Sequence, residues 1–175
     1  EVIDVARRSG IPSVVTHVKA LGPPVWGFGA VITRRIEVAR EEGVEVYTDQ
    51  YPYTASQTSL AALIPQWAQA GGDSELFARL TDPETRRRIK SEIVYRIEHD
   101  RGGGHPQNVV ISLCDWDRGL EGKSLAEILE DQSVDVTFSN AAELVMTIVE
   151  SGGARAIYHA MDDADVARIM QHPVT

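Results

Sequence analysis

Two short apolar runs, each ending in polar residues, constrain this 175-residue chain more than anything else in it. The first is Ser13-Val14-Val15-Thr16-His17-Val18-Lys19. The second covers residues 44–49 and runs on into Gln50-Tyr51-Pro52-Tyr53-Thr54-Ala55. Between them lies one helix-length segment, residues 30–42, with Ile32, Ile36 and Ala39 on one stripe and Gly43 to stop it. Strand, helix, strand, with polar groups gathered at the strand ends, is the layout in which barrel enzymes keep their sites. Side chains alternate along a strand. His17 and Lys19, two apart, are therefore expected on one face, and Asp49, Tyr51 and Tyr53 on one face of the second strand if it extends that far.

The bulk composition narrows the class. A chain that is 43% hydrophobic and 25% charged can bury the core of one ordinary domain. The formal net charge of −9 argues against nucleic acid and anionic membranes as partners, since both call for a positive surface. The one dense basic run, Arg86-Arg87-Arg88, lies in a helical pattern beside Glu84 and Glu92 and reads as a solvated helix face. Cys114 is the only cysteine, which excludes an intramolecular disulfide and a multi-cysteine zinc knuckle. No apolar run approaches the ~20 residues of a membrane span, and no signal-peptide layout opens the chain. The expected location is cytoplasmic. The chain starts without Met inside a helical pattern, so it reads as an internal or C-terminal fragment of a longer protein.

Further along, the pattern changes. Helices are expected over residues 60–70, 74–80, 83–100, 124–130, 141–150 and 162–170, with strands over 109–113 and 155–158. Asp82 and Pro83 suit the N-cap and first position of the charged third helix. The expected division is residues 1–59 as barrel strands and helix carrying the site, 60–153 as a small, mostly helical, lid-like insertion, and 154–175 as a return to the barrel that stops before its last strand. Inserted segments of that length with structure of their own are often lids.

Each candidate group has a bland reading beside the chemical one. His17 is a donor type that suits zinc, yet a histidine ending an apolar strand is as often a hydrogen-bonded structural residue. Spacing joins no other histidine to it. Lys19 is either an anchor for a carboxylate or a solvated strand-end lysine. Tyr51 and Tyr53 are hydrogen-bond donors or rim packing residues. Asp49 orients a neighbour or caps the following turn. Gly102-Gly103-Gly104 is not a phosphate loop, because the Lys-Ser/Thr pair is missing and the glycines precede a strand. Cys114 has no partner base and reads as a buried or inert thiol.

Taken in order, several stretches resemble the N-acyl-D-amino-acid deacylase (D-aminoacylase) family of the amidohydrolase superfamily. Thr16-His17-Val18-Lys19 is similar to the family's Ser/Thr-His-x-Lys strand end. Asp49-Gln50-Tyr51-Pro52-Tyr53-Thr54-Ala55 follows at the family's interval. Leu120-Glu121-Gly122-Lys123-Ser124-Leu125 resembles its Gly-Lys-Ser-Leu helix start. Met161-Asp162-Asp163-Ala164-Asp165-Val166, followed by His172-Pro173, resembles the approach to its last barrel strand.

The resemblance implies an α/β fold: part of a (β/α)8 TIM barrel of the metal-dependent amidohydrolase type, with a small, mostly helical insertion. It implies zinc-dependent hydrolysis of an N-acyl-D-amino acid, a small-molecule substrate, to a carboxylate and a free D-amino acid, with one or two zinc ions in the parent protein. By position, His17 would be a zinc ligand, and Lys19 and Tyr51 would hold the substrate's α-carboxylate. No catalytic residue is expected within the chain. The family's remaining ligands would lie upstream of Glu1 and its general-base aspartate beyond Thr175, so the chain alone is expected to be inactive. Gln57 departs from the serine the family often carries there. Two other readings stand beside this one: a dihydroorotase-like or dipeptidase-like amidohydrolase, and a non-catalytic binding module that has lost its metal.

Overall fold

The structure is a computed structural model that describes residues 1–173 and 175. In chain order, helix α1 (Val2–Ser9) leads to strand β1 (Ser13–Val15), helix α2 (Gly29–Glu41) and strand β2 (Val46–Thr48). Then come β3 (Ala55–Ser59), the short helix α3 (Gln66–Gln69), α4 (Asp73–Thr81), α5 (Pro83–His99) and β4 (Val109–Leu113). Helices α6 (Leu125–Asp131) and α7 (Phe138–Glu150), strand β5 (Arg155–His159) and helix α8 (Asp163–Met170) complete the order. The fold is α/β. Its contacts group into two units: Glu1–Leu21, Val25–Thr54 and Met161–Thr175 in one, Gly22–Pro24 and Ala55–Ala160 in the other.

The first unit is built on the strand–helix–strand pattern. β1 and β2 pair in parallel, Ser13 against Val46, Val14 against Tyr47 and Val15 against Thr48, as strands joined by a helical crossover do. Period two then sorts the side chains. Val46 and Val15 meet Ala6 of α1 and Ile36 and Ala39 of α2 in a small core. Val14 and Tyr47 point the other way and are exposed. α1 stops at Gly10, whose φ of +68° is the left-handed conformation that glycine adopts without strain.

α8 holds the loop that enters α2. Asp162 caps α8 through the N–H groups of Ala164 and Asp165. The carboxylate of Asp165, 4% exposed, accepts the N–H of Gly27 and of Gly29, each at 2.7 Å. Gly29 is the first residue of α2, so its N–H is one of the free amides of the helix N-terminus, where a negative charge is favoured, and Gly27 lies just before the N-cap Phe28. A Cβ on Gly29 would lie 2.6 Å from Asp165 Oδ1, so only glycine admits this approach. Asp165→Ala is expected to destabilise the chain by about 3 kcal/mol, because it removes two charge-assisted bonds at a part-buried site. Asp165→Asn should recover little of this, since its one oxygen can accept only one of the two N–H groups and its NH2 then faces the other donor. Urea denaturation of both variants measures the difference.

The second unit is a helical layer with a three-stranded antiparallel sheet in the order β3-β5-β4. α5 starts as its sequence dictates. Asp82 accepts the Thr85 N–H at 2.8 Å, and Pro83 takes the first position. Ile89, Ile93 and Ile97, spaced by four, form one fully buried stripe in a core shared with Ala142, Val145, Met146 and Val149 of α7. Ser124 and Glu127 form a reciprocal capping box on α6. Tyr158 is buried and donates to Ser59 O at 2.8 Å, and burial holds its phenol well above its ordinary pKa.

Three expectations change here. β3 is a strand the sequence pattern does not reveal: Ala55-Ser56-Gln57-Thr58-Ser59 has no apolar alternation, and antiparallel pairing with β5 creates the strand. β5, expected to return the chain to the barrel, pairs antiparallel with β3 and β4 inside the second unit. Arg86 does not lie on a solvated face. It pairs with Glu143 at 2.5 Å and Glu150 at 2.9 Å across to α7, whereas Arg87 and Arg88 are exposed. Among the described residues no helix is long and apolar enough to cross a membrane.

Candidate functional site

The site forms where the parallel strands β1 and β2 end. Their backbones stay in touch past the last paired residues. Asp49 donates its N–H to Val15 O at 3.3 Å, and Asp49 O accepts the Val18 N–H at 2.9 Å. Between those two contacts the chain turns. His17 has φ +54°, one of two non-glycine residues with positive φ among those described. Such a conformation costs about 1–3 kcal/mol and persists only where the surroundings enforce it. The enforcing contact is short: the His17 N–H donates to Asp49 Oδ1 at 2.6 Å.

The turn sets where the imidazole goes. The ring of His17 sits 5.6 Å from that of Tyr51 at an interplanar angle of 59°. Lys19 Nζ lies 5.4 Å from the centroid of the Tyr51 ring, within cation–π range. The same ammonium donates to His17 O. Tyr53 stacks further out, 6.5 Å from Tyr51, and is exposed. One imidazole, one ammonium and two phenols thus gather at the strand ends. Val18 and Ala20, both buried, pin the stretch on either side of Lys19.

The structure brings His17, Lys19 and Tyr51 together, but not by the alternation expected of them. β1 stops at Val15, and residues 16–17 are a turn, so no strand carries His17 and Lys19 onto one face. β2 stops at Thr48, before Asp49, Tyr51 and Tyr53. The left-handed residue and the contact with Asp49 do what strand geometry does not. Gln50, between Asp49 and Tyr51, is tied to α8 through Nε2 to Val166 O at 3.1 Å. Its neighbour Asp165 grips the loop after β1, so α8 supports both strand-end loops. The signal for this in the sequence is Gly29, which marks a close approach without saying what approaches, beside Gly27, whose φ of +86° suits glycine.

The other candidates lie elsewhere. Cys114 is 1% exposed in the second unit, with its backbone N–H bound to Glu121 Oε1 at 3.0 Å. Gly102 and Gly103 are packing glycines. A Cβ on Gly102 would strike the Ile97 backbone, and one on Gly103, at φ +56°, the His159 carbonyl oxygen. Among the described residues no group of three His, Cys, Asp or Glu side chains gathers as a metal shell. His17 is exposed, and its ring nitrogens make no hydrogen bond among the described residues, which leaves it able to serve as one donor of a shell.

No family model matches the chain. An N-acyl-D-glutamate deacylase of Alcaligenes xylosoxydans xylosoxydans is 31% identical to it over 172 residues, which are 98% of this chain and 26% of that protein. The crystal structure of N-acyl-D-glutamate deacylase from Bordetella bronchiseptica, complexed with zinc and a phosphonate mimic of the tetrahedral intermediate, matches 99% of the chain with a TM-score of 0.64 at 28% identity. A crystal structure of D-aminoacylase matches the same share of the chain with a TM-score of 0.64 at 24% identity, which speaks for the fold. The chain spans about a quarter of each of these relatives, 26% to 27% of their length. In sequence and in fold, over nearly its whole length, the chain therefore resembles one quarter of an N-acyl-D-amino-acid deacylase of the D-aminoacylase family.

Proposed function

We propose that this chain is the part of a zinc-dependent N-acyl-D-amino-acid deacylase that carries His17, Lys19 and Tyr51 to the active site, as a portion of a (β/α)8 barrel. The observation behind this reading is the convergence of those three side chains at the ends of two parallel strands, in a chain 31% identical to a deacylase. The division expected from the sequence, with a lid-like middle segment, belongs to the same proposal. The grouping of Ala55–Ala160 with Gly22–Pro24 in one compact unit supports a middle segment with a structure of its own.

His17 would hold the metal through one ring nitrogen. Zinc, when bound, supplies Lewis-acid polarisation of the amide carbonyl and an acidified water. Lys19 brings a compact positive charge held between the His17 carbonyl and the Tyr51 ring, so its position is set before an anion arrives. Tyr51 adds a neutral phenol beside it. Together they suit the α-carboxylate of an amino acid and would fix the scissile amide relative to the metal. The reading calls for further metal donors and a general base from outside residues 1–175.

The test is hydrolysis of N-acetyl-D-glutamate and other N-acyl-D-amino acids by the complete polypeptide that carries this chain, loaded with zinc and followed by release of the free D-amino acid. Activity that zinc removal abolishes and zinc restores is expected. Lys19→Met should raise KM about 10–100-fold with a smaller effect on kcat, the size of one charge-assisted contact to the substrate. A zinc-loaded protein that cleaves none of these substrates, or prefers cyclic amides, overturns the assignment.

A further inference from the structure

We infer that Asp49 is a positioning residue, whose carboxylate holds His17 in its left-handed turn and so aims the imidazole. The inference rests on the reading of His17 as a metal donor. Period two along β1 places Ser13 and Val15 on one face, where Val15 meets the core formed with α1 and α2. Continued by two residues, that period would send His17 to the helix side, away from Tyr51. The φ of +54° breaks the period and brings the ring to 5.6 Å from Tyr51.

Asp49 supplies all three contacts that bracket this turn. Its N–H donates to Val15 O, its carbonyl accepts the Val18 N–H, and its Oδ1 accepts the His17 N–H at 2.6 Å. The two backbone contacts fix the Cα of Asp49, and the carboxylate then has one short path to the His17 amide. Lys19 Nζ holds the carbonyl of the same residue, so the His17 peptide groups are gripped on both sides. Asp49 is exposed, and among the described residues it belongs to no group of three His, Cys, Asp or Glu that could hold a metal ion. Its effect passes through the backbone of His17, and an amide oxygen in place of the carboxylate oxygen would preserve it.

The experiment compares Asp49→Ala and Asp49→Asn in the complete polypeptide, reading zinc affinity and the hydrogen exchange of the His17 amide. Asp49→Ala is expected to weaken zinc binding about 10–100-fold, the usual loss when a support of a metal ligand is removed, and to speed exchange at His17. Asp49→Asn is expected to restore both. Unchanged zinc affinity with slow exchange in Asp49→Ala overturns the inference. So does an Asp49→Asn variant as impaired as Asp49→Ala, which would mean that charge and not the hydrogen bond matters. A wild-type protein that neither binds zinc nor hydrolyses its substrates refutes the deacylase reading, and exchange at His17 then decides the role of Asp49 by itself.

Discussion

With His17 as the proposed zinc donor of a deacylase, His17→Gly in the complete polypeptide is expected to abolish zinc-dependent hydrolysis while making the protein more stable. The two effects come from one backbone angle. At φ +54° an L residue is strained and glycine is not, so the exchange should gain about 1 kcal/mol. The imidazole is exposed, and its removal leaves no cavity. Loss of a metal donor should lower zinc affinity and kcat/KM by more than about 100-fold, beyond the usual loss for a mere supporting residue. His17→Ala should lose as much activity without the gain in stability, because alanine keeps the strain. Calorimetry and zinc titration on the two variants separate the effects. A glycine variant less stable than the parent would mean that the turn is not strained, and one that kept full zinc affinity would remove His17 from the metal site. Residues that trade stability for a fixed side-chain direction are what functional sites accumulate.

Gly103→Ala should destabilise the second unit by about 3 kcal/mol or more, through overpacking added to a positive φ. The added methyl meets the His159 carbonyl oxygen and crowds Asn108 Nδ2 at 3.0 Å and Ala160 Cα at 3.2 Å. Asn108 donates from that same Nδ2 to Gly103 O at 2.9 Å, so the collision also disturbs a bond. Gly122→Ala is the control. Its φ is +82°, but nothing lies within 4 Å of an added Cβ, so only the backbone cost of about 1 kcal/mol should appear. Urea unfolding of the two variants gives the comparison. Equal losses would show that the packing at Gly103 yields easily and that the glycine serves conformation alone.

Local signals in the chain were legible wherever they were self-contained. β4 runs over the expected residues 109–113, and α5 starts at Pro83 behind its Asp82 cap. Both depend on neighbours in sequence: an apolar β-branched run in one case, a capping side chain with a proline in the other. β3 was hidden, because Ala55-Ser56-Gln57-Thr58-Ser59 is polar and becomes a strand by pairing with residues about a hundred positions away. Arg86 looked like its neighbours Arg87 and Arg88. Only the approach of α7, with Glu143 and Glu150, singles it out. The burial of Asp165 against Gly27 and Gly29 is likewise a contact across 136 to 138 residues.

For the site, the sequence determined which chemical groups stand near which strand ends. His17, Lys19 and Tyr51 follow from residue order, apolar runs and one intervening helix, and the resemblance to deacylases is readable from the motifs alone. The tertiary structure decided how they meet. Strand alternation would not bring His17 to Tyr51, and the strands end before alternation could act on these residues at all. A left-handed turn held by Asp49, 32 positions from His17, sets the direction of the imidazole. Side-chain direction depends on φ and ψ, and a strained φ depends on a distant hydrogen-bond partner. Only the folded pairing of β1 with β2 brings that partner within reach.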